Sequence, residues 1–152
     1  MYIVSRCLLG EKCRYDGNDN KSEAVVDFLA SGKSYCGVCP ECRGGMTTPR
    51  LPSEYAQDGS EKIINCEGQD VTEYFVRGAL LCFDDAKEEA GRLGEKIEGA
   101  ILKAKSPSCG SGKIYDGTFS GVLRDGDGCF ARLLKKNDIN VISEKEIDND
   151  KF

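Results

Sequence analysis

The sequence predicts an α/β protein: a single compact domain over residues 1–152, with a mainly parallel sheet covered by helices on both faces, as in Rossmann-like folds. One observation behind this prediction is that short apolar stretches alternate along the chain with amphipathic helical segments, the order typical of parallel sheets. Another is the length of 152 residues, which is usual for one domain with its own core. No repeat, low-complexity segment or interdomain linker interrupts the sequence.

Four apolar stretches are the predicted strands of this sheet. The first contains Tyr2-Ile3-Val4 and the third contains Ala100-Ile101-Leu102, and both runs are uncharged and short enough for buried strands. In chain order the four are residues 2–6, 34–39, 97–103 and 139–143.

Three segments with apolar residues at helical spacing are the predicted helices. Ser22 can cap the first helix, over about 23–31, and Gly32 can end it. Asp70-Val71-Thr72-Glu73 resembles a capping box that opens the longest helix, over about 71–93. The third helix, over about 128–136, is expected to end near Asn137. The apolar positions that share a face are Val25, Phe28 and Leu29 in the first helix and Val71, Phe75, Gly78, Cys82 and Ala86 in the second.

Three other stretches are predicted to lack regular structure. Residues 43–69 are expected to be irregular because Gly44-Gly45, Pro49 and Pro52 would break a helix or strand. Residues 106–127 are rich in Gly and Asp and are expected to form a loop. Residues from about 144 to 152 form a charged tail that is expected to fray.

The composition argues against two classes of partner. A net charge of −5 does not suit a broad surface for the phosphates of duplex nucleic acid. The cations that could serve such a site are dispersed, without a stacking motif of aromatic residues beside them: Arg14, Arg50, Lys103, Lys105 and Lys113. No signal peptide is visible, and no stretch approaches the about 20 apolar residues of a membrane span. A cytoplasmic protein without a membrane partner is therefore expected.

Nine cysteines and no histidine make thiols the main candidate ligands. In a cytoplasmic protein, clustered cysteines indicate metal binding or catalysis more often than disulfides. Cys7, Cys39 and Cys109 each follow a predicted strand, at the point where the chain enters a loop with Gly or Pro. Because the ends of parallel strands gather at one edge of a sheet, we expect these three thiols to meet in one crevice, which would suit a soft metal centre.

The remaining cysteines leave alternatives open. Cys36-x-x-Cys39-x-x-Cys42 has a spacing that can hold an iron–sulfur cluster, but the fourth Cys and following Pro of the bacterial ferredoxin run are absent. Without histidine a closed zinc site would need four thiolates, so Cys7 or Cys109 would have to complete this trio. Three further cysteines stand in segments without other site-like residues and are predicted to be small core side chains: Cys66, Cys82 and Cys129.

Two motifs add polar groups to these thiols. In Val38-Cys39-Pro40-Glu41, the proline fixes the chain direction and keeps the Glu41 carboxylate near the thiol. Ser106-Pro107-Ser108-Cys109-Gly110-Ser111-Gly112-Lys113 offers hydroxyls, backbone donors and a cation. The Gly-Ser-Gly-Lys run lacks the P-loop spacing, and Ile114 stands where a Mg²⁺-binding hydroxyl is needed, so nucleotide hydrolysis is discounted.

Taken together, the motifs resemble the DUF523 family over nearly the whole chain, from Val4 to about Glu144. The motifs that carry the resemblance are Cys7-Leu8-Leu9-Gly10, Cys13-Arg14-Tyr15-Asp16-Gly17, Val38-Cys39-Pro40-Glu41, Gly44-Gly45 with Thr48-Pro49-Arg50, Ser106-Pro107-Ser108-Cys109-Gly110, and Ile114-Tyr115-Asp116-Gly117-Thr118-Phe119-Ser120-Gly121. Family members with an assigned activity are thiouracil and thiouridine desulfidases that carry a [4Fe-4S] cluster on three cysteines and leave one iron open. Carried over by motif, the resemblance implies that the ligands are Cys7, Cys39 and Cys109. Cys36 and Cys42 are not both standard for the family and leave open which thiols bind metal.

The resemblance also implies an activity: iron–sulfur-dependent, non-redox removal of sulfur from a thiolated pyrimidine base or nucleoside. In that reaction the thiocarbonyl sulfur binds the open iron, Glu41 acts as general base on water, and Ser106 positions the water or the ring. Loop composition adds weaker candidates for substrate contacts, which are Ser108, Gly110, Ser111 and Lys113. The alternative is a non-catalytic module that binds zinc or iron or handles sulfur, in which four protein ligands would close the metal site.

Overall fold

The computed structural model describes residues 1–147 and contains the expected parallel sheet. The strands are β1 Tyr2–Ser5, β2 Tyr35–Val38, β3 Ser53–Tyr55, β4 Ile63–Asn65, β5 Gly99–Leu102, β6 Lys113–Tyr115, β7 Leu123–Asp125 and β8 Val141–Ser143. The helices are α1 Glu23–Ala30, α2 Pro40–Arg43, α3 Thr72–Leu93 and α4 Cys129–Lys136, with a 3-10 helix at Arg6–Leu9. The last five residues of the predicted charged tail, 148–152, lie outside the described residues.

The main sheet has four parallel strands in the order β2-β1-β5-β8. Ile3 pairs with Cys36 on one side and Ala100 on the other, and Ala100 in turn pairs with Val141. All four predicted strands are present, each somewhat shorter than its apolar stretch. Since the strands are parallel, the chain leaves β1, β2 and β5 at the same edge.

Helices cover both faces of this sheet, as the alternating pattern predicts. One face packs Ile3, Ala100 and Leu102 against α3 and α4, where Cys82 and Phe130 are buried. The opposite face packs strand and α1 side chains together: Tyr2, Val4, Ile101 and Ile142 with Val25 and Leu29. Ser22 caps α1 as expected, because its Oγ accepts a hydrogen bond from the backbone N–H of Val25 at 3.4 Å. None of the helices within residues 1–147 combines the length and the apolar character that a membrane span requires.

The short helix α2 lies directly against α3, and two glycines permit the contact. A Cβ built on Gly78 would lie 1.7 Å from the carbonyl oxygen of Pro40, and one on Gly44 would lie 2.0 Å from that of Tyr74. Arg77 closes the junction with two hydrogen bonds to the Gly44 carbonyl oxygen, at 2.6 and 3.0 Å. Any side chain at either glycine would push the helices apart, so this contact fixes α2 and the residues that it carries.

Three local predictions were wrong. Residues 43–69 contain the antiparallel hairpin of β3 and β4, and residues 106–127 contain that of β6 and β7. The strands of these hairpins have only three residues each, too few for a clear alternating pattern. The capping box is also absent, because α3 begins at Thr72 and Asp70 Oδ1 instead accepts hydrogen bonds from the N–H and hydroxyl of that residue.

Candidate metal centre and active site

Three loops at the carboxyl edge of the sheet bring Cys7, Cys39 and Cys109 to the wall of one cavity of about 640 Å³. Cys7 lies in the 3-10 helix after β1, Cys39 directly follows β2, and Cys109 lies in the loop after β5. Glu41 lines the same cavity from the start of α2. Strand exits far apart in sequence therefore supply the thiols and the carboxylate, as the argument from parallel strands anticipates.

Cys13 links two of these thiols, which the sequence argument did not anticipate. Its side chain hydrogen-bonds with both Cys7 and Cys39. Cys13 donates to the sulfur of Cys7, and this hydrogen bond lowers the pKa of Cys7. Cys39 in turn donates to Cys13, and this bond together with burial raises the pKa of Cys39. Accepting the hydrogen bond from Cys39 lowers the pKa of Cys13. Donating to Cys7 and burial have the opposite effect and prevail, so the pKa of Cys13 is raised to about 11. Of the three predicted ligands, Cys7 is therefore the only one whose pKa is lowered, whereas those of Cys39 and Cys109 are raised.

Cys109 is the most enclosed of the three predicted ligands. Burial raises the pKa of its thiol to about 12, although two hydroxyl donors oppose that rise. These donors are Ser5 Oγ at 3.5 Å and Ser108 Oγ at 3.6 Å from the sulfur. Ser5 is held in place because its Oγ accepts a hydrogen bond from the Lys103 N–H at 3.0 Å. A thiolate at this position would therefore meet the Ser5 hydroxyl as a donor, while the single proton of Ser108 is shared between this sulfur and Glu41 Oε2.

The residues present fit a cluster better than a single ion. Within residues 1–147, no three side chains of His, Cys, Asp or Glu lie close enough together to hold one metal ion. Cys7, Cys39 and Cys109 all line the 640 Å³ cavity, which has room for a group larger than one ion. Cysteine thiolates are the usual ligands of iron–sulfur clusters. The three thiols, once ionised, match that donor set, and the nearby carboxylate of Glu41 is not needed as a ligand.

Glu41 is held at both carboxylate oxygens. Arg50 Nε lies 3.4 Å from Oε1, and Ser108 Oγ donates to Oε2 at 3.3 Å. The side chains of Glu41 and Arg50 are only 18% and 5% exposed. The carboxylate is thus fixed in the cavity wall beside the thiol of Cys39, in keeping with the two-residue spacing of the Cys-Pro-Glu motif.

Arg50 is a site residue to which the sequence analysis assigned no role in the site, although it counted the residue among the dispersed cations and in a family motif. Besides Glu41, its guanidinium donates to the carbonyl oxygens of Cys13 at 2.8 Å and Thr47 at 3.2 Å. It also donates to Thr48 Oγ1 at 3.1 Å and lies 3.7 Å from Cys42 Sγ. The motif Thr48-Pro49-Arg50 of the family resemblance could have marked Arg50 as a site residue. The motif did not indicate that Arg50 pairs with Glu41.

The two serines of the Ser-Pro-Ser-Cys motif have different contacts. Ser106 Oγ accepts a hydrogen bond from the Cys109 N–H at 2.7 Å and lies 3.3 Å from Ser108 Oγ. Ser108 is buried and bridges Glu41 and Cys109. Both serines line the cavity. Ser106 therefore shapes the turn that presents Cys109, while Ser108 makes the direct contact with the carboxylate.

The other candidate substrate contacts lie away from the cavity. Among the described residues that line it, Gly110, Ser111 and Lys113 are absent. The ammonium group of Lys113 pairs with Asp125 across the hairpin of β6 and β7. Gly110 instead faces the backbone, because a Cβ there would lie 2.7 Å from the Ser106 carbonyl oxygen.

Carboxylates pair with four of the five cations considered for nucleic-acid binding. The pairs are Arg14 with Asp16, Arg50 with Glu41, Lys103 with Glu144, and Lys113 with Asp125. Paired cations cannot form a continuous positive surface, so the geometry gives no support to binding of duplex nucleic acid. Glu144 belongs to the segment that was expected to fray, but its carboxylate also accepts a hydrogen bond from the Ala104 N–H at 2.8 Å.

The other cysteines occupy several environments. Cys82 is buried in the core, where burial raises the pKa of its thiol to about 12, as expected of a core side chain. Cys129 is partly buried, packs against the core and lies 3.6 Å from the Phe75 carbonyl oxygen. Cys66, in contrast, is exposed and lies at the cavity wall, so its prediction as a core side chain was wrong. Cys36 packs against the core from β2, and Cys42 lies 3.4 Å from Thr48 Oγ1.

Comparisons with known proteins identify the family and the fold of this chain. A family model described as 2-thiouracil desulfurase matches residues 2–146. The solved structure of the [4Fe-4S]-dependent thiouracil desulfidase TudS (DUF523Vcz) is 41% identical and superposes with a TM-score of 0.80, covering 97% of this chain and 93% of that chain. The uncharacterized protein YbbK of Bacillus subtilis (strain 168) is 41% identical over 156 residues, which cover 98% of this chain and 99% of YbbK.

Proposed function

The chain belongs to the 2-thiouracil desulfurase family, and we propose that it removes sulfur from a thiolated pyrimidine base or nucleoside without net redox change. The observation that carries this proposal is the meeting of three loop thiols and one fixed carboxylate at the wall of a single 640 Å³ cavity. The reaction replaces a thiocarbonyl with a carbonyl: water supplies the oxygen, and the sulfur leaves as hydrogen sulfide. Since this exchange is a hydrolysis, it needs no electron carrier.

Three cysteines would hold the cofactor, a [4Fe-4S] cluster, through Cys7, Cys39 and Cys109. When bound, such a cluster supplies an iron that lacks a protein ligand and can act as a Lewis acid for a soft sulfur atom. The thiols must lose their protons to become ligands. Cys7 is prepared for this by its lowered pKa, and Cys109 by the Ser5 hydroxyl that donates to its sulfur.

Glu41 would act as the general base. Its carboxylate takes a proton from the water that attacks the ring carbon bearing the sulfur. Two contacts support this role, because Arg50 and Ser108 each hold one oxygen of a carboxylate that lines the cavity. A base fixed in this way needs little rearrangement when the proton is transferred.

Ser106 and Ser108 would position the base and the substrate. Ser108 donates to Glu41, so it orients the carboxylate. Ser106 Oγ already accepts the Cys109 N–H and lies 3.3 Å from Ser108 Oγ, so its proton can reach either that oxygen or a ring atom in the cavity. The weaker contacts proposed for Gly110, Ser111 and Lys113 would require the loop to move, since these residues are not part of the cavity wall.

The test uses protein reconstituted with iron and sulfide under anaerobic conditions. Sulfide release and loss of thiocarbonyl absorbance from 2-thiouracil and 4-thiouridine report turnover. Glu41→Gln should keep the iron content but lower the rate about 10²–10⁴-fold, because Gln keeps the size of the side chain and cannot accept the proton. Glu73→Gln, on the exposed surface of α3, is the matched control and should behave like the wild type.

Two results would reject parts of the proposal. Wild-type turnover in Glu41→Gln would exclude this residue as the base. Iron retention in Cys39→Ser would exclude that thiol as a ligand, provided that Cys82→Ser, the buried control, keeps its iron as expected. Absence of turnover by fully loaded wild-type protein on every thiolated base or nucleoside would remove the enzymatic function itself.

A second candidate function is a non-catalytic thiolate site for zinc or iron. The observation that favours it is the proximity of further thiols to the proposed ligands, since the sulfur atoms of Cys39 and Cys42 both lie 4.0 Å from the Cys13 carbonyl oxygen. A rearrangement of this segment could supply a fourth thiolate and close the site. Metal analysis separates the two candidates: one tightly bound zinc per chain supports the closed site, whereas about four iron and four sulfide support the cluster.

A further inference from the structure

A buried carboxylate on β3 anchors the loop at one side of the cavity. Glu54 is 8% exposed, and its Oε1 accepts hydrogen bonds from the N–H groups of Gly117 at 3.0 Å and Phe119 at 3.1 Å. Charge-assisted bonds of this kind are stronger than those between neutral groups. Glu54 also lines the cavity, and it belongs to neither the thiol group nor the pair of Glu41 and Arg50. The carboxylate therefore holds the backbone of this loop against the site.

The loop presents an aromatic ring in an unfavourable backbone conformation. Phe119 has φ 54°, in the left-handed region that bulky residues avoid, and its side chain stays 38% exposed although it is large and apolar. A residue is held in this strained region only when surrounding contacts impose it, and such residues cluster at ligand sites. Phe119 lines the same cavity as the thiols.

The rest of the loop is built to keep this position. Gly117 packs so tightly against β3 that a Cβ would lie 2.3 Å from the Tyr55 carbonyl oxygen. Asp116 Oδ1 accepts hydrogen bonds from the N–H of Thr118 at 2.9 Å and from its hydroxyl at 2.6 Å. These contacts thus order the backbone that leads into Phe119, whose ring remains exposed.

We propose that the Phe119 ring stacks on the planar pyrimidine ring of the substrate and that Glu54 is the positioning residue that holds it there. This inference rests on the proposed function, because it assigns the ring-binding wall of the same cavity. Base–aromatic stacking tolerates different ring substituents, since every base presents a π-face. Phe119 would therefore select for a flat heteroaromatic ring, while the thiols and Glu41 select for the thiocarbonyl.

The first test compares Phe119→Ala with Phe119→Tyr, which restores an aromatic ring. Loss of one stacking contact should raise KM for 4-thiouridine about 10- to 100-fold and leave kcat within about threefold, whereas the tyrosine variant should stay near the wild type. Val122→Ala is the control, because Val122 is exposed on the same loop but does not line the cavity among the described residues. Iron content should be equal in all four proteins.

A readout independent of turnover is the binding of uridine, the sulfur-free product, measured by equilibrium dialysis on the same iron-loaded proteins. Phe119→Ala should weaken uridine binding by a factor similar to the change in KM. Glu54→Leu should weaken it too and should increase hydrogen exchange at the N–H groups of Gly117 and Phe119, while Glu54→Gln, which keeps an acceptor oxygen, should retain most of the binding.

The outcomes separate the two proposals. Equal KM and equal uridine binding in Phe119→Ala and the wild type, with turnover intact, would overturn the stacking role and leave the desulfidase function standing. A wild type that binds uridine through Phe119 but desulfurates no thiolated ring would overturn the function and support the stacking role. A wild type that binds no pyrimidine compound at all would overturn the stacking role directly.

Discussion

Replacing Arg50 with methionine should strongly destabilise the apo-protein. Methionine roughly keeps the length of the side chain but removes every hydrogen bond of the guanidinium. Those bonds reach Glu41 Oε1 at 3.4 Å and the carbonyl oxygens of Cys13 at 2.8 Å and Thr47 at 3.2 Å. Because Arg50 is 5% exposed and Glu41 18%, little water can replace the lost partner. The change leaves a largely buried carboxylate without its cation.

The magnitude follows from this burial. Removing one partner of a buried ion pair typically costs about 3–5 kcal/mol of unfolding free energy, because the remaining charge stays uncompensated. The surface pair Arg43–Asp85 offers a matched control with a shorter contact, 2.8 Å between Nε and Oδ2. Exposed pairs contribute only about 0–1 kcal/mol, so Arg43→Met should cost little despite the better geometry.

The assay is urea denaturation of the reduced, metal-free protein under anaerobic conditions, followed by circular dichroism. A double-mutant cycle with Glu41→Gln isolates the charge term: removing Arg50 should cost about 0.5–3 kcal/mol less when the carboxylate is already gone. Equal losses for Arg50→Met and Arg43→Met, or no coupling between Arg50 and Glu41, would refute the argument from burial.

Three further predictions concern packing, acid stability and the bridging thiol. Gly78→Ala should cost about 1–3 kcal/mol in the same urea assay because its Cβ would strike a carbonyl oxygen of α2, whereas Gly91→Ala on the same helix meets open space and should stabilise by about 0.5–1 kcal/mol. The hydrogen bond and charge of the N-terminal ammonium lower the pKa of Glu95. The resulting stability is present above the unfolded pKa of about 4.3 and is lost as the pH falls through the lower folded pKa. Glu95→Gln should therefore flatten the pH dependence of the unfolding free energy below about pH 4.5. Cys13→Ser should keep the iron content, because a hydroxyl can replace the thiol in the bonds to its neighbours; iron loss as complete as in Cys39→Ser would make Cys13 a ligand.

Much of the fold could be predicted because its signals are local. The apolar runs around Ile3 and Ile101 indicate buried strands, and their alternation with helices indicates a parallel sheet. The three-residue hairpin strands gave no such signal. The capping box failed for a related reason. Asp70 can cap a helix, but its carboxylate accepts hydrogen bonds from Thr72, two residues on, and the Thr72 hydroxyl accepts the Ile63 N–H from β4 at 2.9 Å. A partner distant in sequence changed the role of a residue with a clear local preference.

For the candidate site, the sequence by itself determined which thiols leave strands at one edge, since a parallel sheet places all strand exits on the same side. It also placed Glu41 near Cys39, because Pro40, the one residue between them, restricts the backbone conformation. Only the tertiary structure decided that Arg50 pairs with Glu41, that Cys13 lies between two thiols and that Glu54 holds the loop of Phe119. These contacts join residues up to 65 positions apart, and whether a charged side chain is buried and paired depends on packing that no local pattern encodes.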